Sequence, residues 1–235
     1  MSAQRVRALL MGGQACVLYG AAEFSRDTDF AILADTANLA RLRRALESLQ
    51  AKVIAVPPLA LRYLRKGHAV HFRCQHPEAA GLRIDVMSRL RGVDPFPKLW
   101  RRRTTIELPD GTRYDLLALP DLVQAKKTQL DKDWPMLQRL LEAHYFQHSR
   151  GPTLAQVRFW LRELRTPELL IEVARRYPDA CRRLTAKRPL LAHAALGDTA
   201  PLERALMEEE IAERERDRLY WVPLRKELEK LRHAR

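Results

Sequence analysis

Cysteine is scarce in this sequence, and no stretch of it stays apolar for long. Its 235 residues include three cysteines, Cys16, Cys74 and Cys181, which are scattered and lack the spacing of a zinc site. An odd, scattered set argues against a disulfide-stabilised secreted domain, so we expect a reducing, cytoplasmic location. No apolar run approaches a membrane-spanning length, and the N-terminus lacks the apolar segment of a secretory signal, so we expect no membrane association.

Acidic residues are also in short supply relative to basic ones. The chain has 29 Asp and Glu against 42 Lys and Arg, a formal net charge of +13. This balance favours polyanionic partners, either nucleic acid or nucleoside triphosphates, although an arginine-rich background composition would give the same charge. The basic stretches at residues 98–103 and 182–188 are where we expect a nucleic-acid backbone to bind.

With nine glycines in the whole chain, the adjacent pair Gly12-Gly13 stands out. Glycine lets the backbone approach a ligand closely and expose its amide groups to an anion. We interpret residues 2–11 before the pair as a short amphipathic helix and residues 16–19 after it as a short strand. The pair therefore predicts a helix-to-strand turn that cradles phosphate.

Three aspartates occur at the start of, or within, predicted strands. Asp27 and Asp29 lead into the apolar residues 30–33, and residues two apart in a strand share a face at roughly 7 Å. Asp85 lies in the alternating strand 82–87, on the face opposite Ile84 and Val86. Carboxylates so placed can hold one or two hard cations, although Asp85 alone would fit an ordinary solvent-facing position.

Together these features resemble the DNA polymerase β-like nucleotidyltransferase superfamily, including its minimal and abortive-infection toxin types. Such proteins carry Gly-Gly-x-Ala, a further Gly and an Asp-x-Asp at this spacing, and later a strand acid and a segment resembling residues 119–127. The resemblance covers roughly residues 5–145. The matching positions in this chain are Gly12, Gly13, Ala15, Gly20, Asp27, Asp29 and Asp85.

The resemblance implies a Mg²⁺-dependent enzyme that moves a nucleoside monophosphate from a triphosphate onto a hydroxyl and releases pyrophosphate. Asp27 and Asp29 would hold two Mg²⁺ ions, with Mn²⁺ as an alternative, and Asp85 would ligate the ion at the acceptor hydroxyl. Gly12 and Gly13 would bind the triphosphate, and Lys126 or Lys127 would neutralise its charge. The acceptor is left open between RNA or transfer RNA, a protein hydroxyl and a small molecule; some relatives are toxins with an antitoxin-type partner.

The predicted fold is α+β. Residues 1–149 would form a small mixed β-sheet with packed helices, including a helix at 36–50 and a hairpin at 104–117. Residues 149–152 give the best boundary, and residues 152–235 would form an all-α domain. Its last helix, from residue 201, would be interrupted at Pro223, with a solvated, ion-paired face at 208–218.

Two other functions are alternatives to the nucleotidyltransferase interpretation. One is a non-catalytic nucleic-acid-binding protein on a degenerate transferase scaffold, and the other is a sugar-nucleotide transferase using Asp-x-Asp for Mn²⁺. A zinc site at residues 67–76 is disfavoured because His71 and Cys74 point to opposite faces of a strand. If His71 and Arg73 instead share the face of Asp85, they lie near the nucleotide.

Overall fold

The computed structural model describes residues 1–234 and divides them into two compact units. The first comprises Met1–Leu18, Ala22–Ala125 and residues 219–234, and the second comprises Tyr19–Ala21 and Lys126–Arg218. The predicted boundary at residues 149–152 lies inside the second unit, between two of its helices.

The first unit is built on a seven-stranded mixed sheet, counted over the described residues, so the α+β class is confirmed. The strands occur in the spatial order β3-β4-β5-β2-β1-β7-β6, with β2 parallel to β5 and antiparallel to β1. They are β1 (Ala8–Met11), β2 (Asp27–Ile32), β3 (Lys52–Val53), β4 (Val70–Arg73), β5 (Arg83–Met87), β6 (Thr104–Glu107) and β7 (Arg113–Leu116).

Helices connect and follow these strands, and two short 3-10 turns lie at Ser2–Gln4 and Pro77–Ala79. Among the described residues none of the helices combines the length and apolarity that crossing a bilayer would require. The helices are α1 (Gly12–Leu18), α2 (Thr36–Ser48), α3 (Leu61–Lys66), α4 (Phe96–Arg101), α5 (Leu119–Ala125), α6 (Asp133–His148), α7 (Leu154–Glu163), α8 (Pro167–Arg176), α9 (Pro178–Thr185), α10 (Leu191–Leu196) and α11 (Thr199–His233).

One face of the sheet forms the hydrophobic core of the first unit. Alternate residues of β1, β2, β4 and β5 pack there against the apolar sides of α2 and α3. Asp35 caps α2 by accepting a hydrogen bond from the Asn38 amide, which begins the helix at the predicted place. The buried residues of this cluster are Val6, Ala8, Ile32, Leu39, Leu42, Ala45, Leu46, Leu64, Val70, Phe72, Cys74, Ile84 and Val86.

The two elements predicted around Gly12-Gly13 are wrong, because strand and helix are exchanged. Residues predicted as a helix include β1, and those predicted as a strand at 16–19 belong mostly to α1. β1 lies between β2 and β7, and both Leu9 and Leu10 are buried although they point to opposite faces. A strand covered on both faces is apolar at successive positions, so its period is not visible.

The predicted interruption at Pro223 is also wrong, because α11 continues through it. Proline removes one backbone hydrogen bond from a helix, but contacts made beyond it can compensate. Leu224 is buried, and the Glu227 carboxylate pairs with both Lys66 and His68 within the first unit. These contacts hold the last turns of α11 in place.

The second unit is helical and contains a buried ion-pair cluster. Arg188 is 5% exposed; it donates hydrogen bonds to the Glu209 carboxylate at 2.8 Å and to the carbonyl oxygens of Leu161 and Leu164. Arg165 donates to the same carboxylate at 3.0 Å. The predicted ion-paired face at residues 208–218 is confirmed by pairs such as Arg214 with Glu210 along α11.

Candidate active site

The three aspartates named from the sequence lie on the same face of the sheet, opposite the hydrophobic core. In the parallel pair β2 and β5, Asp29 is directly opposite Asp85, and Asp27 is opposite Arg83. Directly paired residues on neighbouring strands project to the same side. This face is partly exposed around the acids, whereas Leu9 and Ala31 farther along it are buried.

Gly12 follows the last residue of β1 and lies directly beneath the Asp29 side chain. Its φ of +66° is in the left-handed region, and a Cβ at this position would come within 1.9 Å of Asp29 Oδ2. No other residue could occupy position 12 without moving the carboxylate or the backbone. Glycine is therefore required here by both the backbone conformation and the carboxylate above it.

Gly13 closely approaches the loop that leads into β2. A Cβ on Gly13 would lie 2.4 Å from Ser25 Oγ. The Ser25 hydroxyl donates to the Asp27 carbonyl at 3.1 Å, and the Gln14 side chain donates to the Ser25 carbonyl at 2.9 Å. Contacts made by Gly13, Gln14 and Ser25 thus hold the glycine turn next to the start of the Asp-x-Asp strand.

The Asp85 carboxylate is engaged by two cationic or polar neighbours on the same face. Arg83 donates to it through Nε at 3.0 Å and through Nη2 at 2.9 Å, and His71 Nδ1 lies 2.9 Å from Oδ1. Burial alone would raise the pKa of Asp85, but the hydrogen bonds from His71 and Arg83 and their charges outweigh it. The pKa of Asp85 therefore lies below its ordinary value, and the group is ionised at neutral pH.

Arg83 is in the field of all three acids. Its pKa is raised, first by the hydrogen bond to Asp85 against the opposing effect of burial, and then by the charges of Asp85, Asp27 and Asp29. Three carboxylates provide the hard oxygen donors that Mg²⁺ prefers. Within residues 1–234, no three His, Cys, Asp or Glu side chains are placed together to hold a metal ion. Instead, Asp85 is turned to Arg83 and His71.

The two lysines predicted to meet the triphosphate belong to the second unit. Lys126 Nζ lies 2.7 Å from Asp133 Oδ1, and Lys127 Nζ lies 2.7 Å from Glu163 Oε2. Both lysine side chains are at least 85% buried, since they expose 15% and 11% of their surface. Each charge is therefore neutralised by a carboxylate of its own unit.

Several cations of the basic stretches chosen from the sequence form ion pairs within the fold. In residues 98–103, Lys98 and Arg102 pair with Asp94, Arg102 also pairs with Asp121 at 2.7 Å, and Arg103 pairs with Asp115. In residues 182–188, Arg188 is buried against Glu209. These ion pairs leave fewer free charges on both stretches than the sequence indicates.

Two residues of this face, Lys52 and Arg83, were not assigned a role from the sequence. Arg73 lies opposite Arg83, and Lys52 lies opposite Arg73. His71 and Arg73 do share the face of Asp85, because His71 lies directly opposite Asp85. The alternation of each strand places these residues on a polar face, but their neighbours depend on the strand order, which no local pattern contains.

No family model matches the sequence. No curated protein matches it significantly either.

Proposed function

We propose that this protein is a metal-dependent nucleotidyltransferase that moves a nucleoside monophosphate from a triphosphate onto an acceptor hydroxyl, with release of pyrophosphate. The observation that carries the proposal is the register of β2 and β5, in which Asp29 lies beside Asp85 while Gly12 lies under Asp29. A glycine turn beside paired carboxylates brings phosphate-binding amides next to oxygen ligands for cations.

In this proposal each acid has its own task. Asp27 and Asp29 would hold Mg²⁺, and Asp85 would complete the ligand set on the acceptor side. Mg²⁺ bound by these oxygens would neutralise charge on the triphosphate and lower the pKa of the acceptor hydroxyl. The Gly12-Gly13 backbone binds phosphate oxygens, and Asp85, on the acceptor side of the site, accepts the proton of the hydroxyl.

Arg83 holds Asp85 until substrate binds. Its guanidinium makes two hydrogen bonds to that carboxylate, so Asp85 must exchange at least one of them to bind a cation. Because the Arg83 side chain is 38% exposed, it has room to turn towards solvent or towards a phosphate. We assign no role in phosphate binding to Lys126 or Lys127, whose charges are already paired.

The proposal is tested by incubating the protein with each of the four α-labelled ribonucleoside triphosphates, Mg²⁺, and bulk RNA and protein from a cell extract. We expect label to be incorporated with at least one triphosphate and to require the metal. Asp29→Asn removes a ligand charge with little change of shape and should abolish incorporation. Absence of incorporation with every triphosphate and both acceptor pools would contradict the proposal.

A second candidate is a non-catalytic nucleic-acid-binding protein on the same scaffold. It is favoured by one observation, the pairing of Asp85 with Arg83 and His71, which satisfies that carboxylate without a metal. Such a protein would bind RNA without incorporating label, and Mg²⁺ would not promote its binding of a triphosphate. These two assays separate the candidates.

A further inference from the structure

Three cations lie in a single row across the sheet and lead to the acid site. The register pairs Lys52 with Arg73, Arg73 with Arg83, and Arg83 with Asp27. The three cations and Asp27 therefore project from the same face, on four neighbouring strands. Strands are about 4.8 Å apart, so the row extends roughly 10 Å from Arg83 to Lys52 at the edge of the sheet.

The outer two cations of this row are not used by the fold. Lys52 and Arg73 are exposed, and neither forms an ion pair with any residue in the described part of the chain. The other edge of the sheet differs, because Arg113 pairs with Glu107 and Arg103 pairs with Asp115. Exposed cations without a partner cost little in water, and they are what a polyanion would bind.

The strand order separates this row from the glycine turn. In the order β3-β4-β5-β2-β1, Gly12 follows β1 on one side of the acids, and the cationic row occupies β5, β4 and β3 on the other. A triphosphate bound at Gly12-Gly13 therefore leaves the row free. The acids lie between the two, which is where a group passing from donor to acceptor must be held.

We propose that Lys52, Arg73 and Arg83 bind the phosphate backbone of a single-stranded RNA whose terminal hydroxyl is the acceptor at Asp85. This inference rests on the proposed function and names its acceptor. A row about 10 Å long is sufficient for about two phosphates of an extended strand. Contacts of this kind recognise the backbone and carry no base specificity.

The test is a salt titration of the binding of a short fluorescent single-stranded RNA to the full chain. For the double variant Lys52→Ala/Arg73→Ala, we expect binding weaker by about tenfold or more at moderate salt. The slope of log affinity against log salt should fall by about 1.4, since each contact with a single strand contributes about 0.7. Binding of Mg²⁺ with ATP, measured separately, should stay within about twofold of the wild type, because the row lies away from the glycine turn.

The matched control is Arg43→Ala/Arg44→Ala on α2, which removes the same charge from the helix that packs on the opposite face. It should leave the RNA slope unchanged, as should Asp29→Asn, so a failure of the transferase chemistry is read separately from RNA binding. An unchanged slope in the Lys52/Arg73 variant, an equal loss in the control, or a loss of ATP binding with RNA binding intact would each overturn the inference.

Discussion

The two faces of the central strands differ, because one buries apolar side chains in the core and the other carries the charged side chains of the candidate site. On β4, Phe72 points into the core and is 2% exposed, whereas its neighbour His71 points to the acid site. On β5, Ile84 and Val86 are buried while Arg83 and Asp85 form an ion pair on the other side. The same backbone thus serves two purposes at alternate positions.

This difference shows how a small sheet can carry three like charges on one face. The apolar face supplies the burial that stabilises the unit. The residues of the polar face therefore do not need to contribute to stability. Asp27, Asp29 and Asp85 repel one another, and Arg83 offsets part of that repulsion through the field of all three. Substitutions on the apolar face should therefore change stability, and substitutions on the polar face should change activity.

The largest effect on stability is expected from Phe72→Ala. Loss of a buried phenyl ring costs about 3–5 kcal/mol of unfolding free energy, because burial is lost and a cavity remains. His71→Ala, one residue away on the polar face, should cost under about 1 kcal/mol, as partly exposed ion pairs do. Urea denaturation measures both, and equal losses would contradict the division between the faces.

The largest effect on activity is expected from Asp29→Asn. Removal of one charge that ligates a cation should lower the transfer rate by about a hundredfold or more. The unfolding free energy should change by under about 1 kcal/mol, because this face is not the core.

A suitable control for that variant is Asp179→Asn, which changes an exposed carboxylate of the second unit. Its transfer rate should equal that of the wild type in the same assay. If Asp29→Asn were as active as Asp179→Asn, the polar face would have no catalytic role.

A smaller effect is expected from Gly12→Ala, compared with Gly111→Ala. Both glycines have positive φ, but a Cβ at Gly111 meets nothing within 4 Å, whereas at Gly12 it would overlap Asp29. Gly111→Ala should cost about 1–2 kcal/mol from backbone strain alone. Gly12→Ala should cost more than that and should also weaken the binding of Mg²⁺ with ATP.

Unfolding free energies and nucleotide titrations of these two variants isolate the contact with Asp29. Equal stability losses together with unimpaired nucleotide binding by Gly12→Ala would show that the close approach of Gly12 to Asp29 has no function.

The smallest effect is a pH dependence that arises from Asp85. Because its pKa is lowered in the folded state, its ion pairs stabilise the protein above the ordinary carboxyl pKa near 4, and this contribution is lost as the pH falls through the folded value. Asp85→Asn should therefore be less stable than the wild type at neutral pH by up to about 1 kcal/mol.

Denaturation at a series of pH values should show this gap narrowing as the medium becomes acidic. A gap that is constant or widens towards acid would mean that the Arg83 and His71 contacts do not stabilise the ionised carboxylate.

The sequence predicted the elements whose hydrophobic period is clear. β2, β5 and α2 lie where the alternation at Asp27 and Asp85 and the leucine spacing of 39, 42 and 46 placed them. β1 could not be recognised because both of its faces are covered, and α1, with seven residues, is too short to show a helical period. The continuation of α11 past Pro223 depends on Glu227, whose partners lie far away in sequence.

For the candidate site, the sequence pattern selected the acids and the glycines but did not indicate their neighbours. That Asp29 lies beside Asp85, and that Arg83 continues into Arg73 and Lys52, depends on the strand order. Lys126 and Lys127 looked available from the sequence, but their charges are paired in the structure. Their carboxylate partners, Asp133 and Glu163, could not be identified by spacing. Long-range pairing decides which charges are free, and local patterns do not contain it.

We propose above all that the polar face transfers the α-phosphoryl group together with its nucleoside. The most direct measurement supplies the same triphosphate labelled either at the α or at the γ phosphorus, with Mg²⁺ and RNA, to the wild type and to Asp29→Asn. We expect α label on the RNA and γ label in pyrophosphate, with both signals lost in the variant. Transfer of γ label to the RNA, or α transfer that persists in Asp29→Asn, would contradict it.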